Sequence, residues 1–227
     1  MEEKTKRTVV IPGEILAKGE GYLPGEGTEK VGEEIIAIRY GLSEEANKLV
    51  KVIPLSGVYQ PRNGNVVIGK VENLTFYGWQ IDIDSADGAF LPLQEVPGFV
   101  KQDGLREILD IGEMVVAKIL DVNGRGIDLT TKSRGLGRID EGLIVKVNSS
   151  KVPRIIGKEG SMISLIKEGS GCEVTVGQNG LIWIKGNKVE DELLAKSAIN
   201  FITEKSFSSG LTEEVEEWFK KEKGGSK

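Results

Sequence analysis

The sequence predicts a multidomain chain, mainly β plus α/β. It should hold a small N-terminal β-domain, a five-stranded β-barrel, a β-α-α-β-β-α module and a short C-terminal helix. Three observations carry this reading. Short apolar runs punctuated by glycine and proline fill the opening segment. Alternating apolar and polar residues with tight turns fill the middle. From residue 141 onward helical periods enter, around "RIIGKEGSMISLI" at 154–166.

The first domain is assigned to 1–62. "RTVVIPGEIL", "GEEIIAIRYG" and "NKLVKVIPLSG" read as strands, and Pro12, Pro24, Pro54 and Pro61 separate them. The domain shows no chemistry. "PRNGN" at 61–65 is a turn cluster and marks the boundary.

The second domain, 63–138, runs through "VVIGKVENLTFYGWQIDIDSADGAFLPL" and "LDIGEMVVAKILDVNGRGIDLTTK". "WQIDID" alternates, "MVVAKILDV" is a longer strand, and "NGRG" closes a hairpin into "IDLTTK". Five short strands of this kind fit a small closed Greek-key barrel of the OB type. On these residues the segment resembles an S1 RNA-binding domain. Tyr77-Gly78 matches its aromatic-glycine pair, and "IGEMVVAKILDVNGRGIDLTTK" matches its second half. Gln80 stands near where a second aromatic is usual, and Leu91 where a histidine is typical.

The third domain, 139–205, reads as a strand ("GLIVKVN"), two helices around Gly157–Gly160, and a hairpin ("CEVTVGQNGLIWIKG"). Asn179-Gly180 is expected at the hairpin tip as a type I′ turn, which makes "GQNG" structural. "KVEDELLAKSAINFITEKS" follows as an amphipathic helix with Val189, Leu193, Leu194, Ala198 and Ile202 on one face. The order β-α-α-β-β-α is that of a type I KH domain, and "IIGKEGSMI" resembles its GXXG loop with both flanks. The tail, 206–227, is expected to form one more helix. Leu211, Val215, Trp218 and Phe219 make its apolar stripe, docked on its own domain.

Composition excludes several chemistries. Histidine is absent and Cys172 is the single cysteine. That removes Ser-His-Asp and Cys-His nucleophiles, His-ligated metals, disulfides and cysteine zinc ribbons. No apolar run is long enough for a transmembrane helix, and a cytoplasmic location is expected. Net charge is −5, yet residues 124–158 carry eight basic and three acidic side chains, a local balance of +5. A phosphate backbone responds to local potential, so the basic stretch is the better clue, with a solvated surface as the alternative.

The Gly157–Gly160 bracket is the main candidate site. A helix that starts after a glycine turn points free N–H groups at the turn, and its dipole attracts anions. Lys158 adds positive charge, Glu159 should point to solvent, and Arg154 sits one turn earlier. Ile155 and Ile156, with Ile163 and Val174 or Val176, would line a groove for bases. The RNA-binding set here is therefore Arg154, Ile155, Ile156, Gly157, Lys158, Glu159 and Gly160, in the mode where a GXXG loop holds a single strand. In the barrel, Tyr77 and Trp79 are candidate stacking residues. At period two they would share a face, either could instead be core, and Tyr77 is expected to face the ligand. Arg125, Lys132, Arg134 and Arg138 are candidate phosphate contacts. Asp82, Asp84 and Asp87 could hold Mg²⁺ for phosphodiester hydrolysis, but "IDID" is also the simplest half-buried strand, and no motif supplies the remaining ligands or a base.

In domain order, in "VVIPGEIL", "RIIGKEGSMI" and "VGQNGLIWI", the chain is similar to the S1/KH-type RNA-binding cap subunit of the archaeal RNA exosome. The resemblance implies a non-catalytic protein without cofactor or metal. Three copies would cap a hexameric ring of RNase PH-like subunits and guide single-stranded RNA, A-rich tails favoured, to its pore. The N-terminal domain would dock on the ring. A stand-alone S1/KH transcription or translation factor and a metal-dependent ribonuclease are the other readings.

Overall fold

A computed structural model describes residues 8–98, 104–205 and 210–224. The chain divides into two compact units, Met1–Gly57 and Val58–Lys227.

In the first unit two small sheets form around a modest core of Val10, Ala37 and Val52, with Leu16 packed against it. The strands are β1 (Thr8–Val10), β2 (Ile15–Lys18), β3 (Leu23–Pro24), β4 (Thr28–Val31), β5 (Glu34–Ala37), β6 (Gly41–Ala46) and β7 (Leu49–Pro54). One sheet is ordered β1-β6-β7-β3 and the other β2-β5-β4. β6 was not expected from the sequence. It is polar, and its hairpin to β7 turns through Asn47 and Lys48, both at positive φ (51° and 64°), the twist-matched I′ geometry without a glycine.

The second unit starts with β8 (Val66–Thr75), β9 (Gly78–Asp82), β10 (Ala89–Pro92), β11 (Met114–Asn123), β12 (Gly126–Thr130) and β13 (Gly137–Ile139). The order is β12-β10-β9-β8-β11-β13, and an added β11–β12 pairing closes the first five into a barrel. β10 and β12 run parallel and the other pairs antiparallel, the OB pattern. A single helical turn, α1 (Leu105–Ile108), bridges β10 and β11.

Trp79 fills the barrel. It is 0% exposed, and its indole Nε1–H donates to the Leu109 carbonyl at 2.8 Å. This corrects the expectation that Trp79 and Tyr77 share a face. Tyr77 lies in the β8–β9 turn, outside the strand, so period two does not connect them. Gly78 between them has φ 147°, and a Cβ there would overlap the Leu91 carbonyl oxygen. Trp79→Phe should therefore cost about 2 kcal/mol in a urea titration, from lost volume and an unpaired carbonyl, while RNA affinity stays unchanged.

The module that follows is β14 (Leu143–Lys146), α2 (Val152–Ile156), α3 (Ser161–Ser170), β15 (Glu173–Val176), β16 (Leu181–Lys185) and α4 (Val189–Glu204). Its sheet is antiparallel, ordered β14-β16-β15, with the helices packed on it. Ala195, Ala198, Ile199 and Ile202 form the buried face of α4. Val189 and Leu193, assigned to that face from the sequence, are exposed. The helix presents its 195/198/199/202 stripe to the core and turns Val189 and Leu193 to solvent. α5 (Leu211–Gly224) docks as expected: Leu211, Val215 and Phe219 enter the same core, and Trp218 stacks on Phe201 with ring centroids 5.8 Å apart. The tail beyond 224 lies outside the described residues.

Barrel and module are joined through the 177–180 turn. Gly180 N–H donates to the Gly177 carbonyl at 3.0 Å, and Gln178 and Asn179 keep negative φ while Gly180 takes φ 89°. This is a tight turn followed by a left-handed glycine, not the type I′ turn expected. The geometry frees the side chains to point at the barrel. Asn179 is 2% exposed; its amide donates to the carbonyls of Ile68 (2.7 Å) and Ile83 (2.9 Å) and accepts from Ile68 N–H (3.3 Å). Gln178 exchanges two bonds with Val66, its backbone N–H to the Val66 carbonyl at 2.8 Å and its Oε1 from Val66 N–H at 2.7 Å. "GQNG" is thus the bolt between two modules, beyond its role as a hairpin tip.

Candidate nucleic-acid interface

The Gly157–Gly160 loop joins α2 to α3. Gly157 has φ 75° and ψ 174°, Glu159 sits left-handed at φ 53°, and Gly160 at φ 80° starts α3. α2 ends when Gly157 N–H reaches the Pro153 carbonyl at 2.9 Å. The ten-residue helix α3 has no side-chain cap at its start, so its first N–H groups face the loop. The arrangement is a positive helix end in a glycine-bare turn, with Lys158 and Arg154 exposed beside it. Neither cation has an ion-pair partner among the described residues. Glu159 is exposed. Ile156 and Ile163 are half-buried and offer apolar surface next to the loop. Ile155 is a correction: it is fully buried in the module core with Val174 and cannot meet a ligand directly.

In the barrel, Tyr77 is 76% exposed. Its neighbour Phe76, 78% exposed, was missed from the sequence. The signal was present in "TFYG", two aromatics in a two-residue turn. Thr75 builds that turn: its hydroxyl donates to the Gly78 carbonyl and accepts from Tyr77 N–H. The turn thus holds two aromatic rings side by side in solvent.

The basic candidates separate into two kinds. Lys132 pairs with Glu95 at 3.2 Å, and the Thr130 hydroxyl and Lys132 hold the Glu95 carboxyl below its ordinary value. Arg138 is shared between Glu113 (3.0 Å) and Asp140 (2.9 Å). Both are largely exposed pairs worth little to stability. Arg125, on the β11–β12 hairpin, and Arg134 are exposed, and neither has an ion-pair partner among the described residues.

Two of the carboxylates weighed as a metal site, Asp82 and Asp84, have other work. Asp84 pairs with Lys146 at 2.8 Å across the barrel–module junction, and Asp82 Oδ1 accepts from Asp84 N–H at 2.8 Å. Among the described residues no three His, Cys, Asp or Glu converge to hold a metal ion. Among them, too, no helix is long and apolar enough to cross a membrane.

These features define a class of protein: an OB-type barrel bolted to a KH module, with exposed aromatics at a turn of one and a glycine-bracketed helix start in the other. A family model described as a KH domain matches residues 142–190. Three curated relatives are each named exosome complex component Rrp4. The one from Methanobrevibacter smithii is 41% identical over 92% of this chain and 70% of its own length. The one from Nitrosopumilus maritimus is 39% identical over 95% and 97%, and the one from Pyrococcus furiosus 40% over 92% and 81%. A crystal structure of an exosome complex RNA-binding protein superposes with a TM-score of 0.66 at 32% identity, covering 75% of this chain and all of that one. The chain belongs to the Rrp4 family of exosome complex components.

Proposed function

We propose that this chain is the non-catalytic RNA-binding cap of an exosome, acting in the cytoplasm of its cell. The observation that carries the proposal is the Gly157–Gly160 clamp, held at a helix start with Lys158 and Arg154 beside it, in a module fixed to a barrel with exposed aromatics. Phosphates of a single strand bind the α3 end and the two cations, and bases stack on Tyr77 and Phe76. Arg125, Lys132, Arg134 and Arg138 serve the backbone as it crosses the barrel.

The N-terminal unit supports the docking half of the proposal. Val9, Ile11, Leu23, Val31, Ile38 and Tyr40 are exposed on a unit with a small core. These exposed apolar side chains offer surface for a protein contact. Its partner is a hexameric ring of RNase PH-like subunits, capped by three copies, and the RNA so guided is degraded 3′ to 5′, with A-rich tails favoured.

The test of the RNA half is fluorescence anisotropy with labelled oligo(A) and oligo(C) over a salt series. Lys158→Asp/Glu159→Asp should weaken binding about 10-fold, and Lys158→Ala should flatten the slope of log K against log salt by ~0.7. An unchanged slope and affinity in both variants would remove the clamp from the account.

A further inference from the structure

We infer that Asn123 is the site at which this chain deamidates, and that the fold steers the reaction there and away from two other asparagines with the same neighbour. Asparagine is a thermolabile residue, most of all before glycine, which puts no side chain in the way of its own backbone nitrogen. The chain holds three such pairs: Asn63-Gly64, Asn123-Gly124 and Asn179-Gly180. In the reaction the glycine nitrogen bonds to asparagine Cγ, the Cγ–Nδ2 bond breaks, and ammonia leaves with the proton from that nitrogen. Water then opens the cyclic imide at either carbonyl and leaves aspartate or isoaspartate. Water is the only co-reactant.

The attacking nitrogen separates the three pairs. Gly64 N–H donates to the Ile119 carbonyl at 2.8 Å, and Gly180 N–H to the Gly177 carbonyl at 3.0 Å. Each must break that bond before its nitrogen can turn on the side chain. Asn179 is further held by its own amide, buried and bonded to the barrel. Among the described residues nothing accepts from Gly124 N–H. Asn123 and Gly124 are exposed at the β11–β12 tip, beside an open cavity of about 560 Å³ that admits water.

The side chain is placed for the attack. Arg125 N–H donates to Asn123 Oδ1 at 2.9 Å, an Asx turn that folds the amide back over the Gly124 peptide. The same bond draws charge from Cγ and steadies the oxygen as it becomes negative. Asn123 Nδ2 bridges two carboxylates, Asp121 Oδ2 at 3.3 Å and Asp128 Oδ2 at 3.4 Å, which stand opposite each other in the ladder. This amide, ahead of that of Asn63, holds the Asp121 carboxyl below its ordinary value. Deamidation replaces the bridge with a third carboxylate and turns two attractions into repulsions. The β11–β12 pairing closes the barrel, so the altered chain closes it less firmly.

The experiment ages the full chain in mildly alkaline heavy-oxygen water, folded or unfolded in guanidinium, then digests it with trypsin in ordinary water. Only deamidation during ageing leaves heavy oxygen in the new carboxyl. The three pairs fall in separate tryptic peptides, 63–70, 119–125 and 168–185, which mass spectrometry reads one by one. The folded chain should label 119–125 several-fold faster than the other two, and the unfolded chain should label all three. Gly124→Ala, whose Cβ would meet nothing within 4 Å, should keep the fold and slow the labelling of 119–125 several-fold. Asn123→Asp should lower the urea midpoint further than Asn123→Ala, which removes the amide without adding charge. A folded chain that labels 63–70 or 168–185 as fast as 119–125, or that leaves 119–125 unlabelled while the unfolded chain labels it, would overturn the assignment. Equal midpoints for the two Asn123 variants would overturn the loosening of the barrel.

Discussion

Replacing Asn179 by leucine is expected to cost about 3–5 kcal/mol of stability, although the shape of the side chain is nearly kept. Asn179 is almost fully buried and serves three backbone groups of the barrel at once. Leucine leaves the carbonyls of Ile68 and Ile83 and the N–H of Ile68 buried and unpaired. Each such group costs roughly 1–3 kcal/mol. The neighbouring contacts do not make up the loss. The Gln178–Val66 bonds sit on the same turn and would be disturbed with it, and the remaining Lys146–Asp84 pair is exposed and weak. Urea unfolding followed by tryptophan fluorescence would read this well, because Trp79 reports the barrel, while Trp183 and Trp218 report the KH module. The wild type should unfold in one step, and Asn179→Leu should show an earlier transition or two separate ones. A single transition at the wild-type midpoint would show that the bolt does not couple the modules.

Gly157→Ala should cost about 2–4 kcal/mol and weaken RNA binding 10-fold or more. At φ 75° and ψ 174° the backbone is one that L-residues resist, a strain of about 1–3 kcal/mol. The added Cβ would also lie 2.6 Å from Met162 N and 2.7 Å from Met162 Cβ, so the first turn of α3 must move. That turn carries the N–H groups proposed to hold phosphate, which couples the stability loss to the affinity loss. Gly160→Ala separates the two causes. Its φ is also positive, but the nearest atom to a new Cβ is Ile163 Cγ2 at 3.8 Å. It should cost only the left-handed penalty of about 1–2 kcal/mol and leave α3 in place. Equal losses of affinity in the two variants would contradict this division of roles.

Much of this architecture was legible because its signals are local. The alternation in "WQIDID" and "MVVAKILDV" and the glycine bracket at 157–160 each mark one element, and the structure has them. What was not legible depended on partners distant in sequence. Asn179 looks like a turn residue until β8, more than a hundred positions earlier, is placed against it. Trp79 looks like Tyr77's companion until Gly78 breaks the strand phase between them. β6 lacks apolar alternation, and its pairing with β7 and the Asn47–Lys48 turn hold it where its own sequence would not. Within the site, Ile155 and Ile156 are adjacent and equally apolar, and only the packing of α2 decides that one is fully buried and the other half-buried at the core's margin.

The central claim is that this chain loads RNA without cutting it. The most direct measurement uses the purified chain, alone and mixed with an RNase PH-like ring from the same source, and follows labelled oligo(A) for shortening with and without inorganic phosphate. The account predicts no shortening by the chain alone, and phosphate-dependent shortening by the ring that is faster with the chain than without it. Cleavage by the chain alone, or a ring that degrades RNA at the same rate whether or not the chain is present, would contradict it.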